Sequence, residues 1–390
     1  MLLSVSLLAT LGLIAILGPF GTDVYLPALP QMAQAMHTTP SGIQLVITTF
    51  SFGMAAGQLV WGPASDRIGR RWLLVLGPAL VAIGCFISAG TSSLPLLLAS
   101  NALIGVAASV GMVCGRAMIS DIAADNRAAR GFAMMGMVTG LGPVIGPLGG
   151  AALLVITDWR GIYIWLGGFA GVLALIASIR LRETLAPERR HSGGLIALAR
   201  AAGKILTNRN YLLHATLLWA GFGMLISYIA ASPFIVEKIF GFSPTWYTVD
   251  FAVNGVGMML TGAISAAIMG RVGPNRQILI GVSMLAAAAV ILGIAVLTGN
   301  INPPMIFTAF FLVPSAMALL FGSATAMGLR EVRHLAGTAL ALQGSIQFVF
   351  GGVLAALVGI GGELAVWPLA LVFAGCAALA VVSYAAKPKM

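Results

Sequence analysis

Charged residues are scarce in this chain of 390 residues. Asp, Glu, Lys and Arg make up 8% of it and hydrophobic residues 59%, whereas a soluble domain carries about 25% charged residues. This scarcity excludes an ordinary soluble domain and predicts a membrane protein. The apolar runs are continuous and about twenty residues long, which favours membrane-spanning helices over the alternating segments of a β-barrel.

Cysteine is also scarce, with three residues in all, each inside an apolar run. Their spacing fits neither a disulfide framework nor a metal site. The sequence has no H-E-x-x-H motif, no G-x-S-x-G motif and no paired acids at ligand spacing. We therefore predict no catalytic residues, no metal and no cofactor, and a protein that is not an enzyme.

Acidic residues are the rarest charges, and Asp23 is the only charged residue before Asp66. The preceding apolar run, from Leu2 to Gly21, is long enough to cross a hydrocarbon core of ~30 Å and too long for a signal peptide. An acid at the end of such a span is costly unless it faces a wet cavity or a partner, so Asp23 is a candidate functional residue. The alternative is an acid that only caps the outer end of the helix among the headgroups.

Breaks at Pro, Gly and charge clusters predict twelve spans. Their approximate ranges are 4–26, 41–61, 73–91, 94–116, 131–156, 161–180, 211–235, 246–269, 276–298, 303–327, 336–359 and 364–385. The longest polar segment divides them into an N-terminal six-helix bundle (1–181), a cytoplasmic linker (182–210) and a C-terminal six-helix bundle (211–390). Two halves of six spans resemble the layout of the major facilitator superfamily, which implies an all-α polytopic fold of two pseudo-symmetric bundles with the substrate between them near the midplane.

The positive charges predict the orientation of the chain. Of the 21 Lys and Arg residues, nineteen fall in one set of loops and ends, and the other set holds only Arg160 and Lys238. By the positive-inside rule, both termini are cytoplasmic. The net charge of +10 is therefore explained by topology, and nucleic-acid binding is not needed to account for it.

The loop after the second span resembles the gate motif of the major facilitator superfamily. Its residues are Gly62, Asp66, Arg67, Gly69, Arg70 and Arg71. The resemblance implies that Asp66 and Arg70 form a latch on the cytoplasmic side, with Asp121 as a partner. A solvated loop that only sets topology is the alternative. A related segment, 271–276, follows the eighth span.

The fifth span resembles the corresponding helix of the drug-exporting antiporter branch of that superfamily. Three glycines at i,i+4 spacing form a ridge that a neighbouring helix can approach closely. Two prolines each remove a backbone hydrogen bond, which allows the helix to bend. The residues are Gly142, Pro143, Gly146, Pro147 and Gly150.

Further segments resemble the Bcr/CflA family of drug-resistance transporters. They are 23–30, 158–163, 183–185, 228–234 and 336–342. The resemblance implies export of small amphipathic drugs, of the phenicol or bicyclomycin type, in exchange for protons across the bacterial inner membrane. The partners it implies are the drug, protons and the lipid bilayer, and we expect a monomer.

Two positions depart from that family pattern. The fourth helix of the family usually carries an Arg followed three residues later by a Gln, and Asn101 and Ile104 stand there in this chain. Arg116 lies fifteen residues further on, about 22 Å along a helix, and cannot replace the missing Arg. Phe50 stands where an aromatic hydroxyl is expected. Because the Arg is usually assigned to proton coupling, the resemblance leaves the coupling mechanism open.

Asp250, near the start of the eighth span, stands where an apolar residue is expected. It is a second candidate for proton or cation binding, although we favour a cap of the helix N-terminus stabilised by the helix dipole. Other polar residues at depth either line the substrate cavity or join helices by hydrogen bonds. These candidates are Tyr25, Asn101, Tyr228, Asn254, Gln343 and Gln347.

The sequence thus predicts a proton-driven drug exporter in which Asp23 is the principal coupling residue. A facilitator or proton symporter for a small metabolite is the alternative within transport. A non-transporting receptor or scaffold is the alternative of another class, and it would need neither a gate latch nor an acid at depth.

Overall fold

The computed structural model describes residues 5–122, 131, 135, 138, 141–185, 194–332, 335–362 and 365–386, and within this part of the chain it contains helices and no strand. A 3₁₀ turn, Leu26–Ala28, separates the second helix from the third, and a π turn, Ile235–Ile239, follows the tenth. The helices are α1 (Val5–Ala15), α2 (Leu17–Asp23), α3 (Leu29–Ala35), α4 (Pro40–Ile68), α5 (Arg70–Gly90), α6 (Leu94–Ile122), α7 (Gly142–Leu154), α8 (Trp159–Arg180), α9 (Gly194–Leu206), α10 (Arg209–Phe234), α11 (Pro244–Leu297), α12 (Pro303–Glu331), α13 (Ala336–Val358) and α14 (Trp367–Ala385).

Eleven stretches in the described part are long and apolar enough to cross a membrane. They match eleven of the twelve predicted spans, so the prediction of an all-α polytopic membrane protein is confirmed. The remaining prediction, the fifth span over 131–156, falls partly outside the described residues. From Gly142 onward it forms α7, a shorter apolar helix.

Several helices run past the ends that the sequence predicts. The first stretch continues through α2 and α3 to Ala35, and α4 continues to Ile68. Polar residues such as Ser65 and Asp66 do not end a helix, because only a backbone change does so. The predicted ends therefore mark where apolar sequence stops, whereas the helices stop at turns.

Two glycines in left-handed backbone conformations make those turns. Gly69, with φ +108°, separates α4 from α5, and Gly273, with φ +72°, bends α11 into two spanning parts. A side chain at either position would clash with its own backbone, so glycine is favoured. The two positions lie 204 residues apart in the chain, as do the related loop segments noted in the sequence.

The helices form two compact units. The first contains residues 1–37 and 45–198, and the second contains residues 38–44 and 199–390. An apolar core in the first unit joins α1, α5, α6 and α8, and includes Leu11, Leu74 and Ala177. The boundaries 1–181, 182–210 and 211–390 stay a prediction. Cys85, Cys114 and Cys376 are buried free thiols.

Candidate functional site

Asp23 is the last residue of α2 and lies inside the first unit, with 4% of its surface exposed. Pro27 has no N–H to donate to the carbonyl of Asp23, so the α-helix ends there and the 3₁₀ turn follows. The Thr22 hydroxyl lies 3.0 Å from Asp23 Oδ1. Both ion pairs found among the described residues belong to Arg70, so no described cation pairs with Asp23.

The glycine ridge of α7 (Gly142, Gly146 and Gly150) faces the segment that carries Asp23. A methyl group built on Gly146 would lie 2.9 Å from Asp23 Cβ, and one on Gly150 would overlap the carbonyl oxygen of Val24. One on Gly142 would lie 2.5 Å from Pro19 Cγ. The ridge therefore packs against α2 of its own unit, and the absence of side chains on its three glycines lets the backbone of the Asp23 segment approach α7.

Tyr25 and Asn101, both predicted to line a cavity, are linked through Tyr163. The Tyr25 and Tyr163 rings stack with centroids 5.4 Å apart, and the Tyr163 hydroxyl donates to Asn101 Oδ1 at 3.2 Å. Asn101 Nδ2 donates to the Leu97 carbonyl at 2.9 Å. The Tyr25 hydroxyl is buried and has no hydrogen-bond partner among the described residues. Asn101 is thus held by α6 and α8 and makes no hydrogen bond to Asp23.

Tyr163 was not selected from the sequence as a site residue, although it ends one of the segments that resemble the drug-resistance family. That segment was the only signal available, because a tyrosine in an apolar helix is ordinary. Phe50 and Ile104 lie together beside α2, since a methyl group on Gly21 would touch both side chains, at 2.5 and 3.5 Å. An apolar surface therefore stands where the family pattern has polar groups.

The structure brings two of the predicted gate residues, Asp66 and Asp121, together around Arg70. Its Nη1 lies 2.6 Å from Asp66 Oδ1, and its Nε lies 3.2 Å from Asp121 Oδ2. The Ser65 hydroxyl also contacts Nη1. Arg70 is 7% exposed, whereas the side chain of Asp66 is 54% exposed. This arrangement joins the ends of α4, α5 and α6 by one buried guanidinium.

The other gate residues have separate places. Arg71 Nη2 donates to the Ser178 carbonyl of α8 at 2.9 Å. The Gly62 carbonyl accepts the Ser65 hydroxyl at 2.8 Å. Arg67 is exposed. Gly69 makes the turn that places Arg70 and Arg71 at the start of α5.

Glu183 and Thr184, which follow α8, belong to the same cluster and were not singled out as gate residues. Glu183 Oε1 accepts the Arg70 N–H at 2.9 Å, and Oε2 accepts the Arg71 N–H at 3.2 Å. The Thr184 hydroxyl donates to Asp121 Oδ2 at 3.1 Å. Partial burial acts to raise the pKa of Glu183, but backbone N–H groups of Arg70, Leu185, Arg71 and Thr184 outweigh it and hold the pKa below its usual value.

Asp250 is not a helix cap, and the interpretation favoured from the sequence is wrong. Helix α11 begins at Pro244 after Ser243, so Asp250 is its seventh residue and lies beyond the first turn, where the dipole acts. Asn254 Nδ2 donates to Asp250 Oδ2 at 3.2 Å. Asn254 is 1% exposed, and its Oδ1 has no partner among the described residues.

The remaining cavity candidates lie in the second unit. The Tyr228 ring contacts the rings of Phe251 and Phe310, with centroids 5.8 and 5.1 Å away. Gln343 and Gln347 are buried on one face of α13. In the described part of the chain, no hydrogen bond joins either glutamine side chain to Asp250 or Asn254. The structure therefore groups Tyr228 with the Asp250 region through the Phe251 ring.

The bend at Gly273 lies beside a neutral cluster. The hydroxyls of Ser265 and Ser323 donate to Gln277 Oε1 at 2.6 and 2.9 Å, and Gln277 Nε2 donates to the Ser265 carbonyl at 2.9 Å. Gln277 is fully buried. In the first unit, charged side chains surround the loop at Gly69. In the second unit, an amide and two hydroxyls lie beside the bend at Gly273. In neither unit do the described residues bring three metal-binding side chains together.

Comparison with known proteins identifies the family of the chain. The family model described as Major Facilitator Superfamily matches residues 11–356. The chain is 29% identical to "Uncharacterized MFS-type transporter YdgK" of Bacillus subtilis over 93% of this chain and 90% of that one. It is 30% identical to "Chloramphenicol resistance protein" of Pseudomonas aeruginosa over 91% of this chain and 83% of that one.

A solved structure shares the fold. The crystal structure of the nucleoside transporter NupG aligns with a TM-score of 0.77 over 98% of this chain and 100% of that one. The two sequences are 13% identical, so this likeness concerns the fold alone.

Proposed function

Because the chain belongs to the major facilitator superfamily and is a membrane transporter of small molecules, we propose that it exports small amphipathic drugs in exchange for protons. The relative named for chloramphenicol resistance supports drugs of the phenicol type, and the resemblance to the Bcr/CflA family supports the bicyclomycin type. The proposed place is the bacterial inner membrane, with both termini cytoplasmic and the protein a monomer. The two predicted six-helix bundles would alternate access to the substrate.

The observation that carries the proposal is the setting of Asp23. It is a buried carboxylate at a break in the first spanning stretch, with Thr22 as its hydrogen-bond partner and no cation paired with it among the described residues. A buried carboxylate without a cation is costly when ionised, so its protonation responds to which side of the membrane it faces. Exchange of a proton for a drug requires a group of that kind.

Asn101 supports a coupling mechanism that works without the Arg of related proteins. Its amide makes hydrogen bonds with the Leu97 carbonyl and the Tyr163 hydroxyl. Asn101 therefore offers Asp23 neither a positive charge nor a hydrogen bond. We propose that Asp23 is the principal coupling residue, and Asp250 is the second acid to test. Tyr25, Asn101, Tyr228, Asn254, Gln343 and Gln347 are proposed to line the drug cavity.

The cluster around Arg70 supports a gate function for the loop. We propose that its pairs with Asp66 and Asp121 form in one conformation and break in another, so that they set the balance between the conformations of the cycle. These ion pairs can shift that balance only by the difference between their interaction free energies in the two conformations. The glycine ridge is proposed to hold Asp23 in place during this change.

The test is uphill drug export in vesicles with an imposed pH gradient. The wild-type protein should accumulate chloramphenicol against its gradient, and collapse of the pH gradient should end accumulation. Asp23→Asn should abolish uphill movement yet permit slow downhill movement. Intact uphill export by Asp23→Asn would place coupling elsewhere, with Asp250→Asn as the next variant. Downhill movement in the wild type that ignores the pH gradient would indicate a facilitator, and no movement of any compound would indicate a receptor or scaffold.

A further inference from the structure

Four side chains of α11 form one stripe in the second unit. Tyr247, Asp250, Phe251 and Asn254 are spaced i, i+3, i+4 and i+7, which places them on one face of a helix. Tyr247, Phe251 and Asn254 are each no more than 2% exposed, and Asp250 is partly exposed. The stripe therefore packs inward and keeps one carboxylate accessible.

The amide of Asn254 has a fixed orientation. A carboxylate accepts hydrogen bonds, so the group of Asn254 that lies 3.2 Å from Asp250 Oδ2 must be the NH₂ group. Asn254 Oδ1 is left on the other side of the amide, buried and without a partner among the described residues. A buried acceptor without a donor is costly. The site therefore offers carboxylate and amide oxygens as hydrogen-bond acceptors.

Aromatic rings lie beside these oxygens. The Phe251 ring contacts the rings of Tyr228 and Tyr247, at 5.8 and 5.9 Å between centroids, and Tyr228 also contacts Phe310 at 5.1 Å. The faces of such rings attract cations. No described Lys or Arg forms an ion pair with Asp250, because both described ion pairs belong to Arg70.

We propose that Asp250, Asn254 and the rings of Tyr228 and Phe251 bind the protonated amine of a cationic compound. An ammonium group supplies a positive charge for the Asp250 carboxylate and an N–H donor for Asn254 Oδ1. A neutral amide offers no charge, and a quaternary ammonium offers no N–H for Asn254 Oδ1. The site therefore selects protonated amines over both. This proposal rests on the proposed drug export, to which it adds a substrate class.

Binding to the purified full-length protein tests the site without any transport step. The probes are dansylcadaverine, which carries a primary ammonium at pH 7, and its N-acetylated derivative, which is neutral. Wild-type protein should bind the amine roughly tenfold more tightly, as expected for hydrogen bonds to a charged group. Equal affinities for the two probes would overturn the proposal.

Variants locate the selectivity. Asp250→Asn should bring the two affinities to about the same value, and Asn254→Leu should lower the preference for the amine several-fold. Glu331→Gln, which removes an exposed acid at the far end of α12, is the matched control and should keep the preference. If Asp250→Asn keeps the preference for the amine, or if Glu331→Gln loses as much of that preference as Asp250→Asn, the charge of the amine is recognised elsewhere.

Export of a neutral drug separates this proposal from the proposed function. If wild-type vesicles fail to move chloramphenicol uphill while the amine preference is present, drug–proton exchange is wrong and the amine site stands. If Asp250→Asn abolishes uphill export of chloramphenicol, which carries no ammonium group, while the purified variant keeps its preference for the amine, Asp250 acts in coupling and the amine site is overturned.

Discussion

At the scale of single residues, Gly146 and Gly149 provide a matched pair on α7. A side chain at Gly146 meets Asp23 Cβ at 2.9 Å, whereas one at Gly149 meets nothing within 4 Å. Gly146→Leu should displace α2 and reduce drug export at least tenfold, because the Asp23 segment can no longer approach α7. Gly149→Leu changes helix propensity by the same amount and should retain export.

Export is measured as efflux from drug-loaded cells, with the amount of protein in the membrane checked by immunoblot. Normal export by Gly146→Leu at normal abundance would contradict the close packing of α7 against α2. Equal losses in both variants would show that the effect comes from the helix itself.

Single residues also show how much of the candidate site could be predicted from the sequence. The buried position of Asp23 was predictable from its place at the end of an apolar run, and its role in coupling stays a prediction. The contact of Asp23 with Gly146 was not predictable, because nothing in the sequence says which helix a glycine ridge faces. The interpretation of Asp250 as a helix cap was wrong, because the helix does not begin where the apolar run begins, and Asp250 is the seventh residue of the helix.

At the scale of structural elements, Arg70 joins three helices in the first unit. Asp66→Asn should weaken one of its ion pairs. Because the Asp66 side chain is 54% exposed, the loss is about 1 kcal/mol or less, or up to roughly a fivefold shift between conformations. Export should fall while the protein still reaches the membrane.

Efflux rate at equal abundance measures the effect of Asp66→Asn. Arg67→Gln, at an exposed position of the same loop, is the control and should export normally. Export by Asp66→Asn at the wild-type rate would mean that the loop only sets topology.

Glu183 ties the segment after α8 to the start of α5. Because the folded protein holds the pKa of Glu183 below its usual value of 4.5, its contribution to stability is present above pH 4.5 and is lost as the pH falls below that value. Glu183→Gln should therefore unfold at a lower temperature than wild type at pH 7, and the difference should shrink below pH 4.5. Thermal unfolding in detergent across this range checks it, and a difference independent of pH would exclude a role for the charge.

The elements themselves were largely predictable. Eleven spans follow from apolar run lengths, and the glycine turns follow from the related segments after the second and eighth spans. The grouping of Glu183 and Thr184 with Asp121 was not predictable, because these residues lie 62 and 63 positions from Asp121 in the chain. Hydrogen bonds over such separations depend on packing that a single sequence does not state.

At the scale of the whole molecule, the two units differ in the side chains that surround their related turns. The turn at Gly69 adjoins a cluster of charges, of which Asp66 is exposed to solvent, while the bend at Gly273 adjoins buried neutral groups. Dissolved salt weakens attraction between exposed charges, with a screening length of about 8 Å at physiological ionic strength, and leaves buried amide and hydroxyl bonds nearly untouched. In the proposed orientation, a cell that concentrates its cytoplasm under osmotic stress would therefore weaken the pair of Asp66 with Arg70 in the first unit and leave the buried hydrogen bonds beside Gly273 unchanged.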